Sequence, residues 1–181
     1  FTTTPHGDPL PCSARVTDRE DPKGFDMAAL VTRGDFGDAQ RLTEALGQNI
    51  GYCCVLSDPY KESWMSLCRM EKPFLCMIDD PPFARGLFRI TTDYVHKLID
   101  IALELGIYAF TVPGDYAMEA GLLFSPELYQ RYLETMHVEI IDHVHRGGGY
   151  IMTPSNTIHP NCRPENYVAM VESLRVYGAH A

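Results

Sequence analysis

The chain has 181 residues, 45% of them hydrophobic and 22% charged, with a formal net charge of −9. Such a length suits one globular domain, and the composition excludes a disordered chain. No run of Lys or Arg offers a phosphate-binding stripe, and charge or proline interrupts every apolar stretch well before the roughly 20 residues of a membrane span, so no nucleic-acid and no membrane partner is expected.

Residues 1–24 are rich in Pro, Thr, Asp and Gly and predict an irregular N-terminal arm. The opening Phe-Thr-Thr-Thr-Pro carries neither a basic region nor an apolar core of a signal peptide and reads as a start inside a longer reading frame. Short helices are predicted at Met27–Val31 and Ala39–Leu46, the second stopped by Gly47. Ile50–Leu56 reads as a strand ended by Asp58-Pro59, and Tyr60–Met70 as a helix. Phe74–Ile78 reads as a second short strand. Asp80 before Pro81-Pro82 then caps a helix whose apolar stripe runs through Tyr94, Leu98, Ile101 and Leu105 to Gly106. Ile107–Val112 is the next strand. Ser125-Pro126 opens a helix with Leu128, Tyr132, Met136, Ile140 and Val144 at four-residue spacing, closed by Gly147-Gly148-Gly149. Tyr150–Thr153 is a last strand, and Pro164 starts the final helix, which runs to Gly178. Strands alternating with helices predict an α/β fold with parallel strands. Six cysteines (Cys12, Cys53, Cys54, Cys68, Cys76, Cys162) stand without a CxxC pair and read as reduced thiols of a cytoplasmic protein.

In parallel α/β folds the ligand site lies on the loops after the strands. Four loops qualify: Ser57-Asp58, Asp79-Asp80, Gly114-Asp115-Tyr116, and Ser155-Asn156-Thr157 with His159. Asp115 ranks first, because it follows a strand and a Pro-Gly and stands beside Tyr116. A carboxylate there can orient a substrate N–H or act as acid or base once desolvated, or else serve only the loop's own amides. Asp79 is a second acidic candidate, although a helix cap accounts for its neighbour Asp80. His159-x-x-Cys162 is a weak metal signal. His137 lines up with Leu133 and Ile141 and reads as packed, while His143 and His145 cannot share a face. No nucleotide-binding or serine-hydrolase motif occurs.

Three segments resemble the uroporphyrinogen decarboxylase superfamily, over roughly 74–178. They are Gly114-Asp115-Tyr116-Ala117 with Gly121 to Tyr129, then Ile140-Ile141-Asp142-His143-Val144-His145, then Gly148-Gly149-Tyr150-Ile151 with Pro154 to Pro160 and Arg163-Pro164-Glu165-Asn166. The resemblance implies a (β/α)8 TIM barrel, incomplete in this chain, as a single domain over 1–181 with its pocket at the C-terminal strand ends. Members are decarboxylases (lyases) acting on a tetrapyrrole without a cofactor, or corrinoid- and zinc-dependent methyltransferases. Taken with the loop reading above, the expectation is Asp115 and Tyr116 as catalytic, with Asp79, Ser155, Asn156 and His159 binding a small-molecule substrate.

The chain departs from that pattern. Arg146-Gly147 joins the second segment straight to the third, where members carry further strand–helix units and the methyltransferases their His-x-Cys zinc pair. The later zinc Cys, and a His of the decarboxylases, would both fall near Asn156, and the decarboxylases' Arg-rich N-terminal motif has no counterpart. No cofactor is therefore evident, and zinc would require segments absent from this sequence. The expectation is an enzyme acting on a tetrapyrrole-like or methyl-donor substrate. The alternatives are a corrinoid- and zinc-dependent methyltransferase, with a corrinoid protein as partner, and a shortened, non-catalytic member that binds a ligand or a partner. A homo-oligomer stays open, since an incomplete barrel leaves strand edges to cover.

Overall fold

The structure, a computed structural model, describes residues 2–3, 9–10, 24–118, 121–154, 158 and 162–178. In the N-terminal arm β1 (Thr2–Thr3) and β2 (Pro9–Leu10) pair antiparallel. Two 3-10 turns follow, Ala28–Leu30 and Arg33–Phe36. The second is started by a capping box, in which Asp35 accepts from the backbone N–H and the hydroxyl of Thr32. Helix α1 (Gly37–Leu46) stops where expected, because Gly47 takes a φ of 62°, a conformation that costs a side-chain-bearing residue energy.

Strand β3 (Cys53–Val55) leads through Asp58 into α2 (Pro59–Glu62), which continues as a wide π turn, Ser63–Leu67. Next comes α3 (Glu71–Asp79), and here the structure corrects the expectation of a strand at 74–78. Its buried residues Pro73, Cys76 and Met77 repeat at three and four, the helical spacing, and five apolar residues alone do not distinguish that from a strand. Asp80 does cap the long helix α4 (Pro81–Glu104), its carboxylate accepting from the Phe83 N–H. Beyond Gly106 come β4 (Ala109–Thr111) and a small hairpin of β5 (Ala117–Met118) and β6 (Gly121–Leu122). The helix expected to run unbroken from Ser125 is two: α5 (Pro126–Tyr132), capped by the Ser125 hydroxyl, and α6 (Glu134–Gly147), divided at Leu133. Strand β7 (Gly149–Tyr150) follows.

Strands β3, β4 and β7 form a parallel sheet in that order, with Cys54 beside Phe110 and Phe110 beside Tyr150. Gly148 lets β7 approach β4, since a Cβ there would stand 2.3 Å from the Tyr108 carbonyl oxygen. The helices between the strands bury two apolar clusters. One gathers Tyr60, Met77, Leu87, Phe88, Tyr132 and Leu133. The other sets Phe110 of the central strand against Val95 and Ile99 of α4 and Ile140 and Val144 of α6. Each such side chain contributes about 1.5–3 kcal/mol by leaving water. The architecture is helix-rich α/β with a small parallel sheet, and it forms one compact unit over 1–151. A second unit, 152–181, contains α7 (Pro164–Tyr177), started by Pro164. Among the described residues no helix is long and apolar enough to cross a membrane.

Candidate active site

Beyond the C-terminal ends of β3 and β4 the two chains stay side by side. Leu56 N–H donates to the Thr111 carbonyl at 2.9 Å, and Asp58 N–H reaches the Pro113 carbonyl at 3.4 Å. This continuation sets Asp58 against the loop 112–116. An Asp followed by Pro is a natural helix start, and Asp58 caps α2: its Oδ1 accepts from the N–H groups of Tyr60 (2.8 Å) and Lys61 (3.2 Å). The Thr91 hydroxyl of α4, itself buried, bonds the Pro59 carbonyl at 2.9 Å and holds that first turn in place.

Asp58 has no exposed surface. Its Oδ1 accepts a third bond, from the Tyr116 hydroxyl at 2.7 Å, while its buried Oδ2 has no partner. Burial pushes the Asp58 carboxyl up to about 6, against the opposing pull of Tyr116, the two backbone N–H groups and the charge of Lys61. A proton relayed by Tyr116 arrives at Oδ1, the oxygen to which its hydroxyl donates. Gly114 makes the contact with Tyr116 feasible: a Cβ there would lie 2.7 Å from the Tyr116 ring and 3.1 Å from Oδ2.

The chain of bonds continues. His137, in the first turn of α6, has Nε2 3.0 Å from the Tyr116 hydroxyl and Nδ1 3.0 Å from the hydroxyl of Tyr129 on α5. With Asp58 ionised, one arrangement satisfies all four groups: Tyr129 donates to Nδ1, Nε2–H donates to Tyr116, and Tyr116 donates to Asp58. Burial holds the imidazole down to about 4, so it is neutral at pH 7. Burial and then the Asp58 charge drive the Tyr116 hydroxyl far above its ordinary range, so it stays protonated. The rings of Tyr60 and Phe124 pack against Tyr116 with centroids 6.0 and 5.5 Å away. On the outer side Tyr116, Tyr129, Phe124, Leu122 and Pro126 line a pocket of about 200 Å³.

Of the residues predicted from sequence, Tyr116 stands at the centre of this network. Asp115 is half-buried beside it, and its charge, after burial and the Asp58 charge, contributes to pushing the Tyr60 hydroxyl up to about 12. Asp79 is exposed at the end of α3, a helix and not a strand, and joins none of the contacts around Asp58. Ser155, Asn156 and His159 lie outside the described residues. Sequence reasoning placed Asp58 on a qualifying loop but ranked it below Asp115, and it read His137 only as packing. The signal that could have raised Asp58 was the Asp-Pro step directly after a strand. Nothing local marks His137, since its partners lie on other elements. Among the described residues no three His, Cys, Asp or Glu side chains are placed to hold a metal ion.

No family model and no curated protein matches the chain. Among solved structures it is similar to a methyltransferase from Methanosarcina mazei, with a TM-score of 0.53 at 14% identity, over 61% of this chain and 32% of that one. The likeness is one of fold, and the matched region is about a third of that protein's length.

Proposed function

We propose that the chain belongs to the barrel-type fold of the uroporphyrinogen decarboxylase superfamily and that it is an enzyme on the methyl-transfer side of that superfamily, moving a proton through Tyr116 to Asp58 on a small, apolar-bodied substrate. One observation carries the reading: Tyr116 both lines the pocket and donates at 2.7 Å to a fully buried carboxylate whose other oxygen has no partner. A carboxyl raised to about 6 lies close to neutral pH, as a proton acceptor should. For transfer of a methyl group to a thiol, the S–H proton passes to the Tyr116 oxygen as the Tyr116 proton moves to Asp58. The sulfur then forms its bond to the methyl carbon, and the donor keeps the electron pair of the broken bond. His137, neutral and held by Tyr129, steadies the Tyr116 oxygen through Nε2–H. Asp115, beside Tyr116, would orient the substrate in this scheme, in which Asp79, exposed at the end of α3, has no part.

The pocket lining favours a small methyl acceptor over a tetrapyrrole. Its six residues include no cation to receive a tetrapyrrole's carboxylates, and its volume of about 200 Å³ suits a small thiol, with a bulkier methyl donor presenting its methyl group from outside the pocket.

The test uses methylcobalamin as donor and 2-mercaptoethanol as acceptor, with loss of the donor's absorbance as readout. Tyr116→Phe and Asp58→Asn are each expected to slow wild-type turnover about 100-fold or more. Asn at 58 can still cap the helix, and circular dichroism of the variant separates a loss of rate from a loss of fold. Unchanged rates in both variants would sink the proton-transfer role, and absence of turnover in the wild-type chain would sink methyl transfer. Release of carbon dioxide from uroporphyrinogen would instead put the decarboxylase reading first.

A further inference from the structure

A second pocket, of about 560 Å³, shares no lining residue with the first. Its walls are largely apolar: Met27 and Leu30 at the first 3-10 turn, Phe36 at the second, Met65 on the π turn, Leu98 on α4. Into these walls is set the carboxylate of Glu62, the last residue of α2, only 9% exposed. Burying a carboxylate is unfavourable unless something of opposite charge or a set of donors answers it. Here two hydroxyls do so, those of Ser66 and Ser57. They are neutral donors, and burial still holds the Glu62 carboxyl above its ordinary range. Asp35 contributes a second carboxylate to the lining. Both acids act on the hydroxyl of Tyr94, which also lines the pocket: its pKa is raised by burial first, then by the charges of Glu62 and Asp35. None of the ten lining residues is a Lys, Arg or His. Lys61, whose charge acts on Glu62, is outside the lining.

We infer that this pocket binds an organic ammonium ion with an apolar body, the cation paired to Glu62 and the body packed on Met27, Phe36, Met65 and Leu98. The chemistry is complementary on three counts. The cavity is large enough for a ligand of ten or more heavy atoms, its walls are apolar, and its one deeply buried charge is negative without a cation in the lining. An ammonium N–H also finds acceptors in the Tyr94 and Ser66 oxygens. An anionic ligand would meet two carboxylates instead. This site stands apart from the Tyr116–Asp58 proposal, and neither depends on the other.

The experiment is calorimetric titration of the whole chain at pH 8 with 4-phenylbutylammonium, with 4-phenylbutan-1-ol and 4-phenylbutyrate as neutral and anionic controls of the same body. The ammonium should bind about tenfold more tightly than the alcohol, the increment of a single charge-assisted contact, and the carboxylate should bind worst. Glu62→Gln should bring the ammonium down to the alcohol's affinity. Met65→Lys, at a site already 38% exposed, should abolish ammonium binding by supplying a cation from the wall itself, and it serves where the Gln variant folds poorly. Equal affinity for all three compounds, ammonium affinity unchanged in either folded variant, or no ammonium binding by the wild-type chain would each overturn the proposal.

Discussion

Two of the three histidines on helix α6 stand in unlike surroundings. His137 is deeply placed between the hydroxyls of Tyr116 and Tyr129, held neutral by burial, and joined through Tyr116 to an acid with no exposed surface. His143, six residues on, is also half-buried, but its Nε2 lies 2.8 Å from Asp100, which is 51% exposed, and its Nδ1 2.5 Å from Nδ1 of His96, the two rings stacked at 4.8 Å. Nearby, Arg89 bonds both Asp93 and Glu139 in the same exposed rim. Both histidines have two polar partners, so a count of hydrogen bonds would rank them equal. What separates them is water. At the rim water can replace any lost partner, so each contact is worth little. Around His137 it cannot, so every donor and acceptor must be met from within the chain.

That contrast can be broken first at His137. His137→Ala leaves a cavity and strands two buried hydroxyls, and should cost about 3–4 kcal/mol in urea unfolding followed by circular dichroism. A cost below about 1 kcal/mol would mean that the network is no tighter than the rim. The next effect is one of pH. Folded Asp58 holds its proton more tightly than its ordinary value of 3.8, which by itself makes stability fall as pH rises from about 4 to about 6. Folded His137 binds its proton more weakly than its ordinary 6.5, which makes stability rise from about 4 to 6.5. The two slopes oppose each other in the wild-type chain. In Asp58→Asn only the second remains, so unfolding free energy should climb by about 2–3 kcal/mol across that window. A slope identical to wild type would show that Asp58 does not titrate there. Gly114→Ala pushes a methyl into the Tyr116 ring and should destabilise by about 2 kcal/mol, with a matching loss of turnover. Smallest of all, His143→Ala should cost less than about 1 kcal/mol, and less still at high salt.

Much of this frame was legible in the residues. The capping signals Asp80-Pro81 and Ser125-Pro126 each start a helix, as does Asp58-Pro59, legible only as the end of a strand, and Gly47 and Gly106 each follow a helix with a positive φ. These are local effects, decided within one turn of chain, and sequence carries them directly. The failure at 74–78 has the opposite cause, because a five-residue apolar run is equally buried as strand or helix until its neighbours are known. The break at Leu133 is equally hidden, since apolar residues keep their four-residue spacing across it. Yet that break helps set Tyr129 against His137, and with them one end of the hydrogen-bond chain. The Pro-Gly and the adjacent Tyr116 favour Asp115 over Asp58 in the sequence, but both follow strands and only packing decides which carboxylate is sealed in.

The parallel sheet has a consequence for time. Asp58 and Tyr116 are 58 residues apart along the chain and Tyr116 and His137 a further 21, whereas helix α4 closes its bonds among near neighbours. Contacts of such separation wait for long loops to close, and parallel pairing is slow for that reason. The acid, the two tyrosines and the imidazole therefore meet late, after most helical signal has appeared. The hydrogen-bond chain is thus among the last features of the chain to mature during folding and a sensitive witness that the strands have found their partners.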